Sequence, residues 1–150
     1  MSIKVSIDAS GGDFGFPVTV NASIKALNSF NDLYINLVGD EKKITLHLNK
    51  SNLNQSLLNR IDVTHSTEVI HMDDSASTAL RHKKDSSMRV AINLVKNGKA
   101  DACVSAGNTG ALMSISRFVL KTIDGVDRPA IMSAVPTLTG PTHVLDLGAN

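Results

Sequence analysis

Residues 3–17 read IKVSIDASGGDFGFP, and this stretch sets the pattern that the rest of the chain follows. Over Ile3–Asp8 apolar side chains alternate with polar ones, which predicts a strand with one apolar face. A glycine-rich loop follows and leads to Pro17, a residue that suits the first turn of a helix. Apolar residues then recur at helical spacing, so a helix is predicted over residues 17–28.

The same alternation of strand and helix continues along the chain. Further strands are predicted at residues 33–38, 61–64, 102–105, 130–135 and 143–147, with another short one at 68–71. Further helices are predicted at residues 41–50, 55–59, 75–81, 86–96 and 111–121. This order indicates an α/β protein with a mostly parallel sheet and helices on both faces, a three-layer α/β/α arrangement. In such sheets ligands bind at the carboxyl ends of the strands, where the glycine-rich loops lie.

The composition narrows the functional classes. The chain has 150 residues, a net charge of +1 and only 3% aromatic residues, so we expect a globular domain with an aliphatic core and no nucleic-acid partner. The single cysteine, Cys103, excludes an internal disulfide and fits a reducing compartment. It lies in a predicted strand and is expected to be a small core residue. No apolar run reaches the roughly 18 residues of a membrane span, so the sequence predicts a cytoplasmic protein.

The first candidate site is the loop 8–15. Gly11 and Gly12 let the backbone approach a ligand closely, and Asp8 and Asp13 place carboxylates beside it. The spacing matches neither a Walker phosphate loop nor the dinucleotide G-x-G-x-x-G pattern. Two interpretations stay open: a substrate-binding or catalytic loop, or a tight strand-to-helix turn in which Asp13 caps the helix.

The second candidate is the loop 105–110, between a predicted strand and a predicted helix. Gly107 and Gly110 can take positive φ, so that successive N–H groups converge on an anion at the helix N-terminus. Neutral hydrogen-bonding groups are added by Ser105, Asn108 and Thr109. The alternative is that Asn108 or Thr109 simply caps the helix.

The third candidate is the cationic stretch 81–89, with Asp85 or Ser86 as the cap of the helix that follows. Cations at a helix N-terminus gain nothing from the helix dipole, so Lys83, Lys84 and Arg89 favour an anion or an acidic partner between them. The alternative is a solvated charge cluster on a surface loop. The five histidines show no metal-ligand spacing.

Five motifs occur in order along the chain: DASGGDFG at 8–15, KKDSSM at 83–88, SAGNTGALM at 105–113, RPA at 128–130 and DLGAN at 146–150. Together they resemble the N-terminal part of the bacterial phosphate acyltransferases, which use acyl-acyl carrier protein and phosphate. Two departures lie in the first loop. The family usually has Met where this chain has Ser10, and Pro at the position of Phe16, whereas here Pro17 follows one place later.

The resemblance implies a fold similar to isocitrate dehydrogenase-like and phosphotransacetylase-like enzymes. It implies transfer of a long-chain acyl group from acyl carrier protein to inorganic phosphate, giving an acyl phosphate for a membrane glycerol-3-phosphate acyltransferase in phospholipid synthesis. A homodimer at the inner face of the membrane, bound peripherally, is also implied, with no metal and no organic cofactor. Family members are longer, and the chain stops after a strand-like segment, so residues 1–150 are expected to be the N-terminal part of a single domain truncated at Asn150.

On this interpretation the catalytic candidates are Asn108 and Asp13. The expected substrate-binding residues are Asp8, Gly11, Gly12, Lys83, Lys84, Ser86, Arg89, Ser105, Gly107, Thr109 and Gly110. Two alternatives remain: a non-catalytic module that binds acyl carrier protein through residues 81–89, and a nucleotide-dependent oxidoreductase, which the missing G-x-G-x-x-G pattern disfavours. The acyltransferase interpretation requires the two glycine-rich loops to meet at one edge of the sheet.

Overall fold

A computed structural model of the chain describes residues 2–145. Its main sheet has four parallel strands, β1 (Ile3–Asp8), β2 (Leu33–Gly39), β3 (Ile61–His65) and β4 (Ala102–Val104). Their order across the sheet is β3-β2-β1-β4, so the first strand lies between the second and the fourth. The predicted parallel α/β sheet is therefore confirmed.

Within residues 2–145, six helices connect the strands: α1 (Phe16–Ser29), α2 (Glu41–Lys50), α3 (Gln55–Leu58), α4 (Ala76–His82), α5 (Ser87–Lys96) and α6 (Thr109–Leu120). Their ends agree with the predicted ends to within one or two residues. All except α1 begin at a residue whose side chain accepts a hydrogen bond from the first turn, the preferred N-cap arrangement. None of the helices in the described part of the chain is long and apolar enough to cross a membrane.

The helices cover both faces of the sheet. Successive strand residues point to opposite faces, and β1 shows this directly. Ile7 packs with the core formed by α1 and α2, whereas the hydroxyl of Ser6 donates to the carbonyl of Ala91 on α5 at 2.9 Å. Helix α5 therefore lies on the face opposite α1, and the three-layer arrangement is confirmed.

Two apolar clusters hold the layers together. The first joins β2 to α1, α2 and α3 and contains the fully buried Leu27, Leu37 and Ile44. The second joins α4, α5 and α6 around Met88 and Ile115. The buried members of both clusters are aliphatic apart from Met88, with Phe16 and Cys103 packed against them, as expected from a chain with 3% aromatic residues.

The last two predicted strands are present but lie outside the main sheet. Strand β5 (Met132–Thr137) and strand β6 (Gly140–Leu145) form a separate antiparallel hairpin. Parallel neighbours need a crossover of about a dozen residues, and the stretch between these strands is far too short for one. The part of the predicted strand beyond residue 145 lies outside the described residues. The strand predicted at 68–71 is wrong, because only a single bridge forms there, between Glu68 and Ser86.

Removing a core side chain from α2 tests the packing of the first cluster. Ile44→Ala should lower the free energy of unfolding by about 2–5 kcal/mol, because Ile44 is fully buried and its loss leaves a cavity. Leu46 lies on the same helix but is 57% exposed, so Leu46→Ala should stay within about 0.5 kcal/mol. Denaturant unfolding followed by circular dichroism measures both. Equal losses in the two variants would contradict the assigned face of α2.

Candidate functional site

The two glycine-rich loops meet at the carboxyl edge of the sheet, between β1 and β4. A Cβ placed on Gly11 would lie 3.1 Å from the backbone nitrogen of Gly107. A Cβ placed on Gly12 would lie 3.2 Å from the carbonyl oxygen of Ala106, and Gly12 also has a φ of +86°. Only glycine permits this approach of the two backbones. The expectation that both loops share one edge of the sheet is confirmed.

A buried carboxylate lies directly beneath this contact. Asp8, at the end of β1, is only 2% exposed. It accepts a 2.6 Å hydrogen bond from the hydroxyl of Ser87 on α5 and a 2.7 Å hydrogen bond from the hydroxyl of Ser105. The amide of Gly107 in turn donates to the Ser105 oxygen at 3.1 Å. Asp8 and Ser105, both expected to bind substrate, therefore tie β1, α5 and the second loop together.

Asn108 begins α6 and holds a neighbouring segment in place. Its side-chain oxygen accepts from the amide of Ala111 at 3.0 Å, so the capping interpretation of this residue is confirmed. Its side-chain nitrogen donates to the carbonyls of Met72 and Asp74 at 3.0 and 2.9 Å, and to that of His71 at 3.3 Å. The side-chain amide of Asn108 therefore holds residues 71–74 against the second loop.

The second loop reaches α6 without the left-handed turn that its glycines allow. Neither Gly107 nor Gly110 has a positive φ, and Asn108 has a φ of −58°. The expected positive φ at Gly107 and Gly110 is therefore wrong, because the chain enters the helix directly and Gly110 is already its second residue. The amides of Thr109 and Gly110 precede the first helical hydrogen bonds and lie at an exposed helix N-terminus.

The segment 69–74 completes the site, although no motif in the sequence identified it. Together with the first loop it borders a groove of about 510 Å³, with Gly12, Asp13 and Phe14 on one side and Met72 and Asp73 on the other. Asp13 is exposed in this groove and does not cap α1, whose N-cap is Gly15 and has no side-chain bond. The run of two acidic residues before the Ser75 cap was the one signal in the sequence that pointed here.

Lys83 holds the segment 69–74 in place. Its ammonium group forms an ion pair with Asp74 and donates to the carbonyl of Val69 at 2.8 Å. The Lys83 hydrogen bond, followed by one from the backbone amide of His71, lowers the pKa of the Asp74 carboxyl below its usual value. Lys83 is therefore engaged in holding residues 69–74.

The other cations of the stretch 81–89 do not gather with Lys83. Ser86 is buried and caps α5 by accepting from the amide of Arg89 at 3.3 Å, which settles the choice between Asp85 and Ser86. The Arg89 guanidinium stacks on the ring of Phe118, 5.2 Å from its centroid. Lys84 is exposed. The expected cation cluster around one anion is thus replaced by separate contacts.

The structure also bears on nucleophile and metal chemistry. Burial raises the pKa of the Cys103 thiol to about 11, so the thiol is protonated at neutral pH and behaves as a core residue, as expected. Within residues 2–145, no group of three His, Cys, Asp or Glu side chains has the arrangement of a metal site.

The contact between the loops depends on the missing side chain of Gly11. In Gly11→Ala the new Cβ would lie 2.5 Å from the Asp8 carboxylate, so we expect a loss of about 1–3 kcal/mol of stability. In Gly110→Ala the new Cβ would meet only ordinary contacts, the nearest at 3.5 Å, and stability should stay unchanged or rise slightly. Denaturant unfolding distinguishes them, and a tolerated Gly11→Ala would contradict the loop contact.

The Lys83 ion pair predicts a pH-dependent difference. Because the folded pKa of Asp74 is lowered from 3.8, the pair stabilises the fold fully above that value and is lost as the pH falls through the lowered pKa. Lys83→Gln should therefore reduce the melting temperature at pH 7, and the difference from the wild type should shrink as the pH falls below 3.8. The exposed Lys84→Gln is the control and should leave the melting temperature unchanged. A difference that is constant from pH 2 to 7 would exclude the pair as its cause.

Comparison with known proteins gives this site its context. A family model described as fatty acid synthesis protein matches residues 3–150. The phosphate acyltransferase of Vesicomyosocius okutanii is 65% identical over 150 residues, which are 100% of this chain and 44% of that protein. The corresponding protein of Ruthia magnifica is 63% identical with the same coverage, and that of Legionella pneumophila strain Paris is 52% identical over 99% of this chain and 43% of its own.

The chain therefore spans less than half the length of these relatives. Among solved structures, the EutD phosphotransacetylase from Staphylococcus aureus superposes with a TM-score of 0.58 at 19% identity, over 95% of this chain and 45% of that one. This likeness confirms the phosphotransacetylase-like fold. The predicted resemblance to phosphate acyltransferases is confirmed by these relatives of that name, and the chain belongs to the family described as fatty acid synthesis protein.

Proposed function

We propose that the intact protein containing this chain is a phosphate acyltransferase that moves a long-chain fatty acyl group from acyl carrier protein to inorganic phosphate. The observation that supports this most is the identity of 65% over all 150 residues with a phosphate acyltransferase. The site described above agrees with such a reaction, since it offers an exposed helix N-terminus and a groove beside two apposed loops. The product is an acyl phosphate for phospholipid synthesis.

The reaction sets clear demands on a site. A phosphate oxygen attacks the thioester carbonyl, a tetrahedral oxyanion forms, and the carbon–sulfur bond breaks to release the carrier thiol, which takes up a proton. The protein must hold a phosphate dianion in line with the thioester and stabilise the developing oxyanion. Positioning supplies much of the rate, because it replaces an encounter of two solutes by a reaction within one complex. No metal ion or organic cofactor is part of this proposal.

The first turn of α6 is the proposed phosphate site. The amides of Thr109 and Gly110 and the Thr109 hydroxyl are donors at the positive end of the helix dipole. Gly107 is buried at the contact between the loops and keeps this turn in place. Asn108 acts as a positioning residue through its bonds to residues 71–74. In this proposal Asp13, exposed in the adjoining groove, accepts the proton that phosphate loses during attack.

The cations outside the site are proposed to dock the acidic carrier protein. Lys84 and Arg81 are exposed beside the segment that Lys83 anchors, whereas Arg89, in the first turn of α5, is half-buried against Phe118. Exposed charge pairs of this kind guide association and weaken as salt is added. A homodimer, a cytoplasmic location with peripheral contact to the membrane, and delivery of the product to a membrane glycerol-3-phosphate acyltransferase complete the proposal.

The alternatives have weaker support. A non-catalytic module that binds acyl carrier protein rests on residues 81–89, yet two of these cations have structural contacts, Lys83 with Asp74 and Arg89 with Phe118. A nucleotide-dependent oxidoreductase requires a G-x-G-x-x-G loop, which neither glycine-rich loop provides.

A proline at the first position of α6 tests the phosphate site. Thr109→Pro removes one amide donor at a helix position that tolerates proline, whereas Thr109→Ala removes only the hydroxyl. With acyl-acyl carrier protein and phosphate as substrates of the intact protein, Thr109→Pro should raise the KM for phosphate roughly tenfold to a hundredfold. Thr109→Ala should have a smaller effect.

The assay follows release of the carrier thiol with and without phosphate, and the melting temperature of each variant is the control for folding. Thiol release that does not depend on phosphate would contradict the proposed reaction. An unchanged KM in a folded Thr109→Pro variant would contradict the proposed phosphate site alone.

A further inference from the structure

A second pocket, of about 460 Å³, lies at the carboxyl ends of β2 and β3. Two of its walls meet at Gly39, the last residue of β2. A Cβ placed on Gly39 would lie 2.9 Å from the Ser10 oxygen and 3.2 Å from the Ile44 side chain, so the close packing here requires glycine. The proposed phosphate site at the start of α6 does not line this pocket. Crevices at the carboxyl ends of parallel strands are common ligand sites, so the pocket is a candidate for a second ligand.

The wall of this pocket contains a buried hydroxyl without a partner. Ser66 is 4% exposed, and among residues 2–145 no group lies within hydrogen-bond distance of its oxygen. Its backbone is fixed, because the Ser66 amide donates to the carbonyl of Gly39 at 2.9 Å. Its short side chain can turn toward the pocket by a change of rotamer. Buried hydroxyls are nearly always hydrogen-bonded, so this one indicates a ligand with a polar group at this wall.

A carboxylate at the entrance of the pocket has room for further hydrogen bonds. Asp40 follows β2 directly and caps α2, where it accepts from the amide of Lys43 at 3.2 Å. Hydrogen bonds from the Lys43 amide and then from its ammonium group lower the pKa of the Asp40 carboxyl, which is therefore ionised at neutral pH. The ion pair between them, at 3.2 Å, is exposed and weak. Because each carboxylate oxygen accepts two hydrogen bonds, Asp40 can also bind neighbouring hydroxyls of a ligand.

The remaining lining contains an apolar surface. It is supplied by Phe16, Ile44 and Val69. Such a surface contributes little to binding a free sugar, and the balanced charges of Lys43 and Asp40 offer no net attraction to inorganic phosphate. A flat heterocycle, with apolar faces and polar atoms along its edge, fits the combination of this surface with the Ser66 hydroxyl. The pocket therefore suits a ligand in which a flat ring is joined to a pair of neighbouring hydroxyls.

We propose that this pocket binds a ribonucleoside, a ligand that takes no part in the proposed acyl transfer. The Asp40 carboxylate accepts from the two ribose hydroxyls, as the acidic residue of dinucleotide-binding folds does from the 2′-hydroxyl. The base lies against Phe16 and Val69, and Ser66 bonds its polar edge. Neither glycine-rich loop has the G-x-G-x-x-G pattern that holds a pyrophosphate, so the ligand is a single nucleoside rather than a dinucleotide.

Three substitutions separate binding from folding. Asp40→Asn removes the charge but keeps a side chain that caps a helix as well as aspartate does, so the melting temperature should stay close to that of the wild type. Its matched control is Glu41→Gln, which removes a negative charge from the next residue, outside the pocket. Ser66→Ala removes a hydroxyl that bonds nothing among the described residues, so its melting temperature should also be unchanged.

Calorimetric titration of the intact protein with adenosine, 2′-deoxyadenosine and ribose measures the binding. The wild type should bind adenosine about tenfold more tightly than 2′-deoxyadenosine, because only adenosine offers a second hydroxyl to the charged acceptor. Asp40→Asn should reduce this preference to less than about threefold, whereas Glu41→Gln should retain it in full. Ser66→Ala should weaken the binding of both nucleosides severalfold and leave the preference between them unchanged.

The possible outcomes decide the proposal without reference to acyl transfer. Absence of adenosine binding at millimolar concentration would overturn it, as would equal affinity of the wild type for the two nucleosides. A preference that Asp40→Asn retains in full would exclude Asp40 as the ribose ligand. Ribose that binds as tightly as adenosine would overturn the proposal in favour of a sugar site. Acyl phosphate formation is measured separately, so a failure of the proposed function leaves the result of the titrations intact.

Discussion

The buried carboxylate of Asp8 is the interaction on which the site depends. It joins the end of β1 to α5 through Ser87 and to the second loop through Ser105. A carboxylate removed from water is tolerated only when its oxygens are hydrogen-bonded, so the two serines and Asp8 stabilise one another's positions. The backbone at Gly11 then lies directly over the carboxylate, which leaves no room for a side chain there. The contact between the two glycine-rich loops follows from this one buried group.

The groups around Asp8 are of two kinds: those that hold the structure of the site in place, and those that are exposed at its surface. Asn108 and Lys83 hold the segment 69–74 through backbone carbonyls and Asp74, and Ser86 starts α5. The groups left exposed at the carboxyl edge are backbone amides at the start of α6 and the carboxylate of Asp13. In the proposed function, binding at this edge therefore depends more on backbone geometry than on charged side chains, in agreement with the glycine and small residues of both loops.

The sequence was sufficient for the parallel α/β order, because hydrophobic periodicity is a local property of each strand and helix. It placed a strand near each arm of the hairpin β5–β6 but did not predict their antiparallel pairing in a separate sheet, which the short connection between them requires. The loops were recognisable from their glycines. The partners of the cations were not, because Asp74 and Phe118 meet Lys83 and Arg89 only through the tertiary fold. Ser87 likewise reaches Asp8 across 79 positions of the chain.

The ion pair between Lys83 and Asp74 affects how an anion can be held at this edge. An unpaired ammonium group at this edge would bind phosphate strongly in the ground state, and uniform tight binding does not speed a chemical step. With Lys83 committed to Asp74, the attraction at the start of α6 comes from amide donors and the helix dipole, which have a fixed direction. Fixed donors can be aimed at the charge that develops in the transition state, and they then stabilise it more than the charge already present in the ground state. In the proposed function, a site built in this way would bind phosphate weakly, orient it well and release a phosphorylated product readily.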